Sequence, residues 1–192
     1  MGLFYPLPEP RVEFRHEHER RSGPMTHYAA VIEFPKMRIG IRIEGDVLTG
    51  IVYLPQETPL QAPEQGLAER AVRQIERYRE DPDAVFDLPL AVEGSRFQRD
   101  VWRQISDIPR GRTRTYGELA RRVGGEARAV GQACGDNPFP IVVPCHRVVA
   151  ADGLGGFSHH VGGYLIEAKK WLLKHEGNLQ MYESGQLWPE AS

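Results

Sequence analysis

Pro140-Ile141-Val142-Val143-Pro144-Cys145-His146-Arg147-Val148-Val149 decides how this chain is read. The apolar runs 141–143 and 148–149 are β-branched, so each favours a buried strand. Pro144 cannot donate to a sheet ladder and interrupts the pairing there. Between the runs sit a thiol, an imidazole and a guanidinium, which are costly to bury unless hydrogen-bonded. A thiol becomes a nucleophile only as thiolate, and a nearby imidazole is a common activator. A Cys in a Val-rich run also fits a small core hydrophobe. On an extended strand neighbours face opposite sides, so Cys145 and His146 are expected not to touch directly. Activation then requires a bend or a bridging water.

Just upstream, Asn137-Pro138-Phe139-Pro140 has two fixed φ angles and holds Asn137 in place, although Asn137 also reads as a simple turn residue. Downstream, Gly153-Leu154-Gly155-Gly156-Phe157-Ser158 carries three glycines in four positions. Such a loop lets backbone approach a ligand closely, or is merely flexible. His159 and His160 have no apparent third metal ligand and read as rim or surface residues. Over 164–176 the spacing predicts a helix whose Leu165, Ala168, Leu172 and Leu173 share one face with Lys169 and Glu176. A carboxylate at the end of a buried stripe needs a partner, and His146 is the natural candidate, to be oriented and supported by it. An exposed helix-end Glu is the alternative.

Between residues 95 and 134 the pattern predicts three helices. Ser95 with Gln98 and Thr115 with Glu118 form capping boxes. Phe97, Val101, Trp102, Ile105 and Ile108 make the first helix's apolar face, and Pro109-Arg110-Gly111 ends it. Leu119 and Val123 point inward from the second, and Gly124-Gly125 turns the chain into 127–134. Two short helices joined by glycines outline a helix-turn-helix. The last helix offers Ala127, Ala129, Gly131 and Ala133, with Arg128 as its one long basic side chain. Major-groove readers usually carry several Arg, Asn or Gln. A small-faced helix instead presses close to DNA with one wedge, or simply packs against another helix.

The first half reads as a small α/β scaffold. Strands are expected at 28–34, 37–44 and 47–54, with Ile39, Ile41 and Ile43 alternating against Gly40, Arg42 and Glu44. Gly45-Asp46 fits a hairpin turn. Residues 67, 71, 75 and 78 form one helical stripe, and 85–90 adds a possible strand. Nothing in this half suggests chemistry. Residues 1–24, rich in Pro, Arg, Glu and His, read as a polar arm, mobile or loosely docked, in which His16 and His18 are solvated rather than metal-bound.

The chain has 192 residues and a net charge of −2, which hides an asymmetry. Residues 96–180 hold 13 Lys+Arg against 8 Asp+Glu, and the remainder 11 against 18. Arg103, Arg110, Arg112, Arg114, Arg121, Arg122 and Arg128 cluster in one stretch. Such clustering suits phosphate recognition, or a solvated surface. Two cysteines without a CxxC point to a reducing compartment and away from a zinc finger. No apolar run approaches a membrane span and the start is no signal peptide, so the expected location is the cytoplasm or nucleoid.

Asn137-Pro138-Phe139-Pro140 followed by Pro144-Cys145-His146-Arg147-Val148-Val149 resembles the active-site signature of the O6-alkylguanine-DNA alkyltransferases, the methylated-DNA–protein-cysteine methyltransferases. The resemblance is strong from about residue 97 to 177 and only of general shape before that. It implies an α/β N-terminal domain of ribonuclease-H-like scaffold over 25–92. It also implies a mostly α, winged-helix-like DNA-binding and alkyl-acceptor domain over 93–180 and a tail over 181–192. In such a protein Cys145 accepts the alkyl group, His146 is a water-mediated base, Glu176 orients His146, Asn137 positions the nucleophile turn and Tyr116 donates to the leaving guanine. Pro140, Phe157, Ser158 and Lys169 surround the base. Phe157 stands where many relatives carry tyrosine, and 159–162 looks like an extension of the rim. Arg128 is the wedge that fills the gap left by a flipped base, and Ala127, Ala129, Gly131, Thr115 and Arg147 contact DNA. The implied partner is double-stranded DNA containing O6-alkylguanine, with a monomer acting once and no metal or organic cofactor. Three other readings share parts of the pattern. A papain-like hydrolase keeps its Cys and His far apart in sequence, a non-catalytic winged-helix regulator needs no thiol, and cysteine-less relatives lack Cys145.

Overall fold

The computed structural model describes residues 27–160 and 162–178. The expected arm at 1–24, with His16 and His18, and the expected tail at 181–192 lie outside them.

Three strands, β1 (Ala30–Phe34), β2 (Met37–Glu44) and β3 (Val47–Leu54), form an antiparallel sheet in sequence order. The alternation in β2 sends Ile39 and Ile41 into the core and leaves Glu44 exposed. Gly45, at φ 56°, makes the left-handed turn into β3 that a side chain would disfavour. Helix α1 (Leu67–Glu80) covers β1 and β2, burying Ala71, Val72, Ile75 and Tyr78. The possible strand at 85–90 does not form. Pro89 lacks an N–H, so pairing there reduces to one bridge, Leu48 to Leu90, with Leu48 N–H donating to Pro89 O at 2.8 Å.

Helices α2 (Arg96–Ser106), α3 (Tyr116–Val123) and α4 (Ala127–Gly135) pack on one another. Both expected capping boxes form, and Gly124 ends α3 in the left-handed conformation. The Trp102 indole donates to Ala133 O at 2.7 Å, tying α2 to α4. A two-residue strand β4 (Arg114–Thr115) pairs in parallel with β5 (Val148–Val149), and α5 (Tyr164–His175) closes the described chain.

The expected strand at 141–143 is a turn instead. Ile141 takes φ 75°, which for a buried β-branched residue costs about 1–3 kcal/mol. Pro140 before it and Pro144 after it deprive the segment of two ladder donors. The chain then enters a single 3-10 turn, Cys145–Arg147, before β5. The bend needed to bring neighbouring side chains of this stretch together is therefore built into the backbone.

One contiguous buried cluster includes residues of both halves, from Ala30 and Ile41 to Leu119, Phe139 and Leu172. The backbone joins the halves as well: Ile51 N–H of β3 donates to Pro138 O at 2.8 Å. No helix among the described residues is long and apolar enough to cross a membrane.

Candidate active site

Asn137 holds the turn that carries the thiol. Its amide donates to Val143 O at 2.8 Å, and its Oδ1 accepts from Phe139 N–H at 3.0 Å. Two rungs from one side chain pin the 137–143 loop from inside, offsetting the strain at Ile141. The 3-10 turn then buries Cys145 (4 % exposed) and His146 (0 %) side by side. Burial pushes the Cys145 thiol up, while Asn137 and the Lys169 ammonium pull it down, and the net shift is upward. At rest the sulfur is therefore protonated.

Glu176 caps the C-terminus of α5 and is buried, at 1 % exposure. Its Oε1 lies 2.9 Å from His146 Nε2. The same oxygen accepts from the Tyr78 hydroxyl at 2.7 Å and from Arg147 Nη2 at 2.8 Å, while Oε2 accepts from Arg147 Nε at 2.8 Å. Burial works to raise the Glu176 carboxyl, but His146 and the forked Arg147 contact outweigh it and hold it below the usual carboxylate range. Burial lowers His146, overcoming the carboxylate's pull upward. The stable arrangement is an ionised Glu176 balanced by Arg147, with neutral His146 donating from Nε2. That tautomer leaves the lone pair on Nδ1, which has no hydrogen-bond partner among the described residues.

Both groups bind protons less readily folded than unfolded. Their contribution to stability is present above the unfolded values of 6.5 and 4.5 and is lost as pH falls through the lower folded ones. Thermal midpoints are expected to drop on acidification below about pH 6.5, where an unfolded histidine begins to charge. A melting temperature that stays level from pH 7 to pH 4 would contradict the buried pair.

A cavity of about 250 Å³ opens beside the thiol, lined by Tyr116, Cys134, Cys145, Phe157, Ser158 and His159 among others. The Tyr116 hydroxyl donates to Gly156 O at 3.1 Å, and Gly155, at φ 69°, lets the loop cross the Tyr116 ring where a Cβ would come within 3.0 Å. His159 and His160 sit on this rim, as expected, with His159 Nε2 3.0 Å from Asp136 Oδ1. Lys169 is not on the cavity surface. It lies fully buried behind the Tyr116 and Phe157 rings, donating to Val148 O, Leu154 O and Gly156 O at 2.7, 2.7 and 2.9 Å. Burial brings its ammonium down to about 8. Pro140 is likewise buried and off the cavity lining.

On the outer side, Ala127, Arg128 and Ala129 of α4 are exposed and Gly131 is half-buried. The Thr115 hydroxyl is committed to the cap of α3. Arg147, expected on the DNA side, turns inward: besides Glu176 it donates to Ile108 O at 2.6 Å. A guanidinium forked on a buried carboxylate is not available to a phosphate.

Sequence reasoning missed two residues. Tyr78 was one more apolar stripe position in a half that suggested no chemistry, yet its hydroxyl reaches Glu176. A buried tyrosine needs a partner, and that was the signal. Cys134 was unremarkable by spacing, yet it lines the same cavity as Cys145.

The family model described as "6-O-methylguanine DNA methyltransferase, DNA binding domain" matches residues 96–178. A methylated-DNA–protein-cysteine methyltransferase of Methanosarcina acetivorans is 36 % identical over 159 residues, covering 79 % of this chain and 99 % of the relative. The chain belongs to the methylated-DNA–protein-cysteine methyltransferase family. A family member from Mycobacterium bovis is 40 % identical over 160 residues, covering 79 % of this chain and 93 % of its own. Among solved structures of this methyltransferase family, the Mycobacterium tuberculosis O6-methylguanine methyltransferase matches with TM-score 0.61 and 36 % identity, covering 76 % of this chain and 90 % of that one. The same organism's protein in complex with DNA matches at TM-score 0.61 and 35 % identity over 82 % and 93 % of the two chains. The mixed α/β architecture is thus that of the family, and the match runs through both halves.

Proposed function

We propose that this chain repairs DNA by moving an alkyl group from O6-alkylguanine onto Cys145, once per molecule. The observation that carries the reading is the chain of contacts from Arg147 through Glu176 to His146, beside a buried thiol that faces an open cavity. A water held between Cys145 and His146 Nδ1 passes the thiol proton to the imidazole. The thiolate attacks the alkyl carbon in line, the new S–C bond forms as the C–O6 bond breaks, and the electron pair stays on the guanine. Tyr116 donates to the ring as charge develops there, and a proton returned from the imidazole leaves neutral guanine and a thioether. Thioether formation is not readily reversed, so the protein is consumed.

The base reaches the thiol by flipping out of the duplex into the cavity. Its walls are Tyr116, Phe157 and Ser158, braced from behind by Lys169. The α3–α4 pair serves as the helix-turn-helix of a winged-helix-like unit over 93–180, and 25–92 serves as a ribonuclease-H-like scaffold, both within a monomer. The exposed small face of α4 presses on duplex DNA, and Arg128 fills the stack.

Arg128→Ala is expected to slow transfer from a methylated duplex about tenfold or more relative to its effect on free O6-benzylguanine, since only the duplex has to be unstacked. Rates measured on both substrates check this, and equal losses would remove Arg128 from the wedge role. Label transferred from a duplex carrying radioactive O6-methylguanine is expected to plateau at one alkyl group per protein. Continued turnover would overturn the proposal.

A further inference from the structure

We propose that Tyr78 is a positioning residue for the alkyl transfer: its hydroxyl shares Glu176 Oε1 with His146 and so ties the acceptor centre to the first half of the chain. The inference rests on the alkyl-transfer reading for its consequence, and on the hydrogen bonds alone for its geometry.

Tyr78 closes the buried stripe of α1, ninety-eight positions before Glu176. Its ring is fixed by Phe86 at 5.7 Å and by the edge of His175 at 5.3 Å. His175 in turn lies with Nε2 2.6 Å from Tyr78 O and stacks on Trp171, so α1 grips the end of α5. The hydroxyl has one charged acceptor and uses it. Oε1 therefore divides its negative charge among a phenol, an imidazole N–H and a guanidinium N–H, and each donor weakens the hold on the others. The groups around His146 come from four elements: Cys145 and Arg147 in its own turn, Glu176 and Lys169 at α5, Tyr78 on α1, and Tyr53 on β3, whose buried hydroxyl has no hydrogen-bond partner among the described residues. Among these, Tyr78 is the neutral donor that touches the carboxylate directly. It sets how strongly Glu176 supports a proton on His146, and it fixes where α5 ends.

The test follows the His146 ring nitrogens by NMR on the full chain with labelled histidine, alongside the pH dependence of benzylguanine transfer. Tyr78→Phe keeps the ring and removes one donor. Glu176 then holds His146 more tightly, and both the His146 titration and the acid limb of the rate are expected to move up by about one pH unit. A 3-fluorotyrosine placed at position 78 is a stronger donor and shifts both the other way, with the native packing retained even if the Phe variant folds poorly. Unshifted profiles in the fluorotyrosine protein and in folded Tyr78→Phe overturn the proposal. Wild-type protein that transfers no alkyl group while the His146 shifts appear would sink the repair reading and leave the coupling standing. Normal transfer with unmoved His146 would do the reverse.

Discussion

Cys145→Ser is expected to abolish alkyl transfer while leaving the fold in place. Serine matches the thiol in shape, and Asn137, whose amide favours the ionised sulfur, offers the new hydroxyl a partner. A buried hydroxyl left without any partner costs about 1–3 kcal/mol, so a partnered one leaves the protein folded. Chemistry is another matter. A hydroxyl is a far poorer nucleophile than a thiol at the pH where His146 is neutral. Cys134 lines the same cavity, but burial drives its thiol strongly upward, so it does not take over as the nucleophile. The variant should bind methylated duplex and hold it unreacted. Transfer at the wild-type rate in a labelled-DNA assay would remove Cys145 from the chemistry.

Glu176→Gln is expected to hurt both stability and rate. The carboxylate is the shared acceptor of Tyr78, His146 and both arms of Arg147. A glutamine keeps the shape, removes the charge, and points an N–H₂ at donors. Breaking one side of a buried ion pair costs about 3–5 kcal/mol. For a chain of this size that corresponds to a melting temperature about 6–20 °C lower. His146 also loses the charged acceptor that fixes its tautomer, so the lone pair is no longer held on Nδ1. Transfer to free benzylguanine should slow at least about 100-fold, the low end of what a positioned base contributes. A variant with wild-type stability would mean the carboxylate is not buried against Arg147. One with wild-type rate would mean His146 needs no orienting group.

Much of this was legible in the chain. The β2 alternation, the two capping boxes and the apolar faces of α1, α2 and α5 each rest on local periodicity or local hydrogen bonding, which sequence displays directly. Glu176 could be paired with His146 because a carboxylate at the foot of a buried stripe demands a partner. What failed to show depended on non-local geometry. The 141–143 run has strand composition, yet flanking prolines and the Asn137 rungs force a turn, and a tertiary cage overrides β-propensity. Arg147 was expected on the DNA, as the resemblance implied, whereas the fold sets it against Glu176 as a counter-ion. Lys169 falls on the right helix face, but its reach of four carbons takes the ammonium to loop carbonyls behind the cavity rather than into it. Tyr78 hid because a tyrosine in an apolar stripe reads as a ring, and only the fold shows where its hydroxyl ends.

Two thiols border one cavity, so the most direct test of the central claim is to locate the alkyl group. The protein is incubated with excess methylated duplex, digested, and its cysteine peptides are mapped by mass spectrometry. A single methyl is expected on the peptide containing Cys145, with Cys134 unmodified. A methyl on Cys134, or protein that strips the duplex while both thiols stay free, would contradict it.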